Sequence, residues 1–260
     1  MFSEVRMQRV KTFCYNHLGK VATAKEEMHC GAAARPFRLG LLIAIGVLTA
    51  SACAGAVSSG GEWAEKQPSM TAAAGPTFEY VPVGEYTTKN FEPTLSFTVG
   101  EGWQFGVPDL RYIVDIGQGM SSGIAFMNIR YVYDANNPVG SEPKPAPDDL
   151  VAWLQQHSYL DTEKALPVTI GGVEGRQFDV TVSKVPTGSP PACGGPCLPL
   201  FELVPGLSFA LAEDEKDRFI VVEGVEGKTV TIAAGAPDEE FEEFLPKAQK
   251  VLKTVQWEGI

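Results

Sequence analysis

Histidine is scarce in this chain of 260 residues, which has only His17, His29 and His157. Cysteine is scarce too, occurring at Cys14, Cys30, Cys53, Cys193 and Cys197. Basic residues are outnumbered, with 21 Lys and Arg against 32 Asp and Glu and a formal net charge of −11. Each shortage removes a class of function. A catalytic zinc takes about three protein ligands, which the part of the chain beyond Cys53, with His157 and a cysteine pair expected to oxidise, does not supply unless the site is built from carboxylates. A Ser–His–Asp arrangement beyond Cys53 would have to use His157, and no Gly-x-Ser-x-Gly elbow precedes a helix. Nucleic acid is excluded as a partner by the acidic balance, because phosphate contacts depend on basic patches. No Gly-rich loop has the Gly-x-x-x-x-Gly-Lys-Ser/Thr form that cradles phosphates. No cofactor and no metal are expected.

The longest apolar run, Leu39 to Ala50, is short of the roughly 20 residues a membrane-spanning helix requires. It suits the apolar core of a signal peptide, about 7–15 residues long, following basic residues such as Arg35 and Arg38. Charge supports this. Residues 1–52 hold seven Lys and Arg and three acids, which leaves 14 basic and 29 acidic residues in 53–260. A basic leader ahead of an acidic body is the asymmetry of an export signal. The run closes on Ala50-Ser51-Ala52-Cys53, which resembles the bacterial lipobox. The resemblance implies that Cys53 is acylated and becomes the first residue of the mature protein. Ala50 stands where that family usually has Leu, and plain cleavage at Ala50-Ser51-Ala52, releasing a secreted protein, is the alternative. Residues 1–52 are therefore read as a signal peptide, with 1–27 as a misplaced start ahead of Met28. Residues 53–76, small and polar from Ala54 to Pro76, read as a tether that buries too little apolar surface to fold.

Residues 77–260 read as a single domain. Leu95–Val99 alternates apolar and polar residues, and Tyr112–Ile116 and Ile124–Val132 are β-rich runs broken by Gly and Ser. Pro167–Ile170 and Arg176–Val182 flank Gly171-Gly172-Val173-Glu174-Gly175, and Phe219–Val222 and Lys228–Ile232 flank Gly224–Gly227, which predicts two hairpins. Helical spacing appears twice. Asp148 to Leu160 places Leu150, Trp153, Leu154 and His157 on one face. A last helix beginning near Pro237-Asp238-Glu239-Glu240 aligns Phe241, Phe244, Leu245, Ala248, Leu252 and Val255, with a kink expected at Pro246. Its acids come early and its lysines late, as the helix dipole favours. The expected class is α+β: a curved antiparallel sheet with packed helices, one of them C-terminal.

Gly102-Trp103, Asp149-Leu150-Val151-Ala152-Trp153-Leu154, the Gly171–Gly175 hairpin and Ala248-Gln249-Lys250-Val251-Leu252-Lys253-Thr254-Val255 occur in that order. On these segments the chain resembles exported actinobacterial lipoproteins of uncharacterised function, and is similar to the PsbP/Mog1-like α/β sandwich. The resemblance implies a sheet with a terminal helix and a non-catalytic binding or accessory role. It brings no catalytic residues.

With Cys53 acylated, Cys193 and Cys197 are the remaining thiols of the mature chain. Outside the cytoplasm a pair this close is expected to form a disulfide that pins a Pro- and Gly-rich loop. Sco-type copper chaperones also carry Cys-x-x-x-Cys, so copper binding at Cys193 and Cys197 stays open as an alternative, although His157 precedes the pair instead of following it. Redox-active dithiols more often have Cys-x-x-Cys at a helix start. The acidic stretches Glu213–Asp217 and Asp238–Glu243 lack the alternating ligands of a calcium loop and read as a hairpin turn and a helix start. The expectation is an exported module anchored to the cell membrane by its N-terminal lipid, facing outside the cytoplasm, with a protein or glycan partner. A carboxylate-dependent hydrolase, needing two acids in one cleft, is the enzyme alternative.

Overall fold

The computed structural model describes residues 13–15, 80–119, 121–189 and 196–260. Cys53 and Cys193, with the signal and tether segments apart from residues 13–15, lie outside the described residues. In chain order the first strands are β1 (Phe13–Tyr15), β2 (Gly84–Thr87), β3 (Leu95–Val99), β4 (Trp103–Leu110), β5 (Ile113–Gln118), β6 (Ser122–Met127), β7 (Tyr131–Val132) and β8 (Lys144–Pro145). Helix α1 (Leu150–Gln155) follows, then β9 (Leu160–Thr162), β10 (Leu166–Ile170), β11 (Val173–Val182), β12 (Cys197–Val204), β13 (Leu207–Ala212), β14 (Glu215–Val225) and β15 (Lys228–Pro237). Helix α2 (Asp238–Leu252) and β16 (Gln256–Trp257) end the chain.

The frame is an eight-stranded antiparallel sheet running β10-β11-β14-β15-β6-β5-β4, with β9 also paired to β11. Its long strands are buried on both faces, so residues of opposite parity belong to two different cores. Val114, Ile116, Ile124, Phe126, Ile220, Val222, Val230 and Ile232 join one core with Phe241, Phe244, Ala248 and Val251 of α2 and Leu95 and Phe97 of β3. Ile113, Ala125, Met127, Phe178, Val180, Phe219, Val221 and Ala233 join the other, with Leu150 and Leu154 of α1 and the apolar residues of β12 and β13. A strand buried on both sides loses the apolar–polar alternation of a half-exposed one. This accounts for the unbroken buried runs Phe219–Val222 and Val230–Ala236, the second apolar but for the buried hydroxyl of Thr231.

The second face is covered chiefly by another sheet, β1-β13-β12-β7-β8. Phe201 of β12 stacks on Phe209 at 5.7 Å and meets Phe219 of the central sheet edge-on at 6.1 Å, the offset geometries aromatic pairs prefer. A third sheet, β16-β3-β2, flanks α2 on the first face. The expected α+β fold with helices packed on the sheet is thereby corrected. Among the described residues there are two helices, of six and 15 residues, and the protein is sheet-dominated. The reading failed on β12 and β13. Their residues, Leu198 to Leu211, are largely buried, and sequence periodicity does not say whether a helix or a sheet covers a strand.

The helices also differ in extent from expectation. α1 ends at Gln155, with Asp149 capping it by accepting from the Ala152 amide at 2.9 Å, and Leu160 belongs to β9. α2 continues through Pro246 as one element. Its predicted face is buried throughout: Phe241, Phe244, Leu245, Ala248 and Leu252, followed by Val255 just beyond the helix.

Candidate functional site

At one end of the central sheet five connections converge on a cleft of about 690 Å³. Glu92 comes from the β2–β3 loop, Arg111 and Tyr112 from the β4–β5 turn, and Asn128 to Arg130 from the link between β6 and β7. Ala146 to Asp148 and Leu150 come from the entry to α1, and Lys228 and Thr229 from the start of β15. Backbone bonds tie these segments together. The Asn128 amide donates to Tyr112 O at 3.0 Å, the Glu92 amide to Arg111 O at 3.2 Å, and the Ala146 amide to Arg130 O at 2.9 Å. The Asn128 side-chain Nδ2 donates to the carbonyl of Glu92. The walls are thus fixed by groups other than the charged side chains that face the cleft.

Three cations line it against two carboxylates, Glu92 and Asp148. Arg111 Nη2 donates to Glu92 Oε2 at 3.0 Å, and Lys228 Nζ donates to the same oxygen at 3.3 Å. These bonds, Arg111 first, hold the Glu92 carboxyl below its ordinary range. Arg130 behaves differently. Its guanidinium carbon lies 5.2 Å from the ring centre of Tyr112 and 5.7 Å from that of Tyr131, and Nη1 donates to the Tyr112 hydroxyl at 3.1 Å. Among the described residues no carboxylate pairs with it. Arg111 also packs on this ring, 5.6 Å from the Tyr112 centre. A guanidinium held on an aromatic face keeps its outer N–H donors free for a carboxylate or phosphate. Beside it, Asn128 Oδ1 is buried without a hydrogen-bond partner among the described residues, an acceptor in need of a donor.

The sequence reading singled out none of these positions. Arg111, Arg130 and Lys228 are 19 to 117 residues apart, in a chain whose charge points the other way, and no motif links them.

The positions it did single out are placed as follows. Cys197 is buried at the start of β12, 1% exposed, while Cys193 and Cys53 lie outside the described residues. His157 is buried just beyond α1, 3% exposed. Its Nδ1 accepts from the Tyr159 amide at 3.3 Å, and its ring sits edge-on to Trp153 at 5.0 Å. Burial pushes its pKa down to about 4, against a weak opposing effect of Asp134, so it is a neutral packing residue near pH 7. The acidic stretch read as a hairpin turn is divided, since Asp217 lies inside β14 and is 1% exposed. Gly119-Met120-Ser121-Ser122-Gly123 spells Gly-x-Ser-x-Gly but falls between β5 and β6, two strands, where no helix follows the serine. Of the two carboxylates in the cleft, Glu92 is kept ionised by its cations and is unsuited to donate a proton near neutrality. Among the described residues no group of three or more His, Cys, Asp and Glu is placed to hold a metal ion. No helix among them is long and apolar enough to cross a membrane.

No family model matches the chain, and no curated protein does. Solved structures similar to it include the following two. Cyanobacterial PsbP (CyanoP) from Synechocystis sp. PCC 6803 has a TM-score of 0.37 and 10% identity, over 68% of this chain and 94% of that one. LpqN, involved in cell envelope biogenesis of Mycobacterium tuberculosis, has a TM-score of 0.34 and 12% identity, over 66% of this chain and 89% of that one. At such scores and identities neither says what this chain binds.

Proposed function

We propose that the protein is an exported, lipid-anchored and non-catalytic binding module whose cleft takes a small anionic, hydroxyl-bearing ligand of the acidic-sugar kind. The observation that carries the reading is Arg130, set against the rings of Tyr112 and Tyr131 and lining the cleft without a carboxylate partner among the described residues. In a chain of net charge −11, a site where cations outnumber carboxylates is a local reversal of sign that repels less and attracts more than the rest of the surface. Tyr112 offers a ring and a hydroxyl. Sites for small ligands combine apolar walls with a few polar groups of this type, and here Ile129, Ala146, Pro147 and Leu150 supply the apolar part.

Titration of the purified protein with glucuronate and with glucose tests this. Glucuronate is expected to bind and glucose to bind far more weakly, and Arg130→Ala is expected to lower glucuronate affinity by about tenfold or more, the loss of one charge-assisted contact. Equal binding of both sugars, or no effect of the substitution, would sink the reading. The address is tested separately. A diacylglycerol adduct on Cys53, lost together with membrane retention in Cys53→Ala, is the expected result.

A further inference from the structure

Glu92 stands in the cleft as an anion would. Its carboxylate accepts from Arg111 and Lys228 through one oxygen, at 3.0 and 3.3 Å. All three side chains are well exposed, at 45%, 61% and 42%. Its backbone is held independently: the Glu92 amide donates to Arg111 O, and its carbonyl accepts from Asn128 Nδ2. The side chain can therefore swing out by rotation about its own bonds while the loop stays in place.

Resting on the reading of the cleft as an anion site, we infer that Glu92 is a resident pseudo-ligand, a displaceable carboxylate that competes with the incoming anion for Arg111 and Lys228. Arg130 is then the permanent anchor, and the pair beneath Glu92 is a second anion subsite that opens only when a ligand displaces the glutamate. The geometry favours displacement. Exposed ion pairs gain little, roughly 0–1 kcal/mol each, so the carboxylate is easily exchanged for another oxyanion that also engages Arg130. The consequence is selectivity. A ligand with one small anionic group is held by Arg130 alone, whereas one with enough reach to replace Glu92 gains two further cations. Glu92 thus filters out simple inorganic anions by occupying the subsite they would otherwise enter.

The test measures affinity for inorganic phosphate and for glucuronate in Glu92→Gln and Glu92→Ala, beside the unchanged protein and Arg130→Ala, with unfolding curves as a fold check. Both Glu92 variants are expected to bind phosphate about three- to tenfold more tightly, the range set by releasing two exposed ion pairs, with a steeper salt dependence. Unchanged or weaker phosphate binding by folded Glu92 variants would overturn the pseudo-ligand, even if Arg130→Ala still abolishes glucuronate binding. If the unchanged protein binds neither anion and the Glu92 variants bind neither, the cleft reading itself fails. A variant that does not fold is replaced by Lys228→Gln, for which the same inference expects affinity for the dicarboxylate glucarate to fall while glucuronate binding through Arg130 persists.

Discussion

Arg218 grips Asp179 with both arms of its guanidinium, Nε to Oδ1 at 2.6 Å and Nη2 to Oδ2 at 2.9 Å. The two residues are direct partners in the β11–β14 register, and Lys216 adds a second cation at 3.5 Å. Asp179 is only 6% exposed, while the Arg218 and Lys216 side chains are 20% and 21% exposed. Removing the carboxylate would leave the Arg218 guanidinium without its partner and Lys216 with only its longer contact to Glu242 Oε1 at 3.8 Å. Asp179→Ala is therefore expected to destabilise the protein by about 3 kcal/mol, the usual cost of breaking a buried pair from one side, measured by denaturant unfolding. A loss below ~1 kcal/mol would show that the pair is held for geometry alone. The double change Asp179→Leu with Arg218→Leu is expected to recover much of it.

His157 makes stability depend on pH. Its folded value is about 4 and its ordinary value 6.5, so between these the unfolded chain binds more protons than the folded one. Stability is then fully present above roughly pH 6.5 and falls as the pH drops toward 4, by up to about 3 kcal/mol in total. His157→Phe, which keeps a ring against Trp153, is expected to flatten this part of the stability–pH curve. An unchanged curve would assign the slope to carboxylates.

Gly171 is needed where it stands. Its φ is +57°, and a Cβ there would come within 2.6 Å of Trp257 Nε1. That nitrogen donates to Ile170 O at 2.9 Å, clasping the chain's last strand to the β10–β11 hairpin. Gly171→Ala is expected to cost about 2 kcal/mol through left-handed strain and lost closure. Trp257→Phe, which removes only the donor, is expected to cost about 1 kcal/mol. Thermal unfolding of both variants checks the order.

Cys193 and Cys197 are proposed to form a disulfide, as the proposed export would favour. Intact mass with and without reductant is expected to differ by two hydrogen atoms per chain once Cys14 and Cys30 are absent. Reduction is expected to cost no more than about 2–3 kcal/mol, because the loop closed is short. Two free thiols on protein purified from the envelope would return the copper alternative to the front.

Much of the strand pattern was legible because β-rich runs bounded by glycine turns carry their own signature. Leu95–Val99 is β3 residue for residue, and the hairpins at Gly171–Gly172 and Gly224–Gly227 join paired strands. The amphipathic face of α2 was legible for the same reason, a period that survives in sequence. Two things were misread. His157 continued the spacing of α1 and was placed on its face, yet α1 stops at Gln155, where the chain turns into β9. Asp217 belonged to an acidic run that looked solvated, yet it is buried within β14 beside Gly235, whose missing Cβ makes room for it. Periodicity and local composition do not report what packs across a sheet.

The sequence by itself determined the acidic charge of residues 53–260, the basic N-terminal stretch with its apolar run, most strand and turn positions and the buried face of the last helix. All are properties of residues near one another along the chain. Only the tertiary structure decided that a second sheet, more than helices, covers the far face of the central one. It alone brought Glu92, Arg111, Asn128, Arg130 and Lys228 to one cleft. Both outcomes depend on pairings between strands far apart in sequence, and a cation acquires a role only when folding decides which carboxylate, if any, stands beside it.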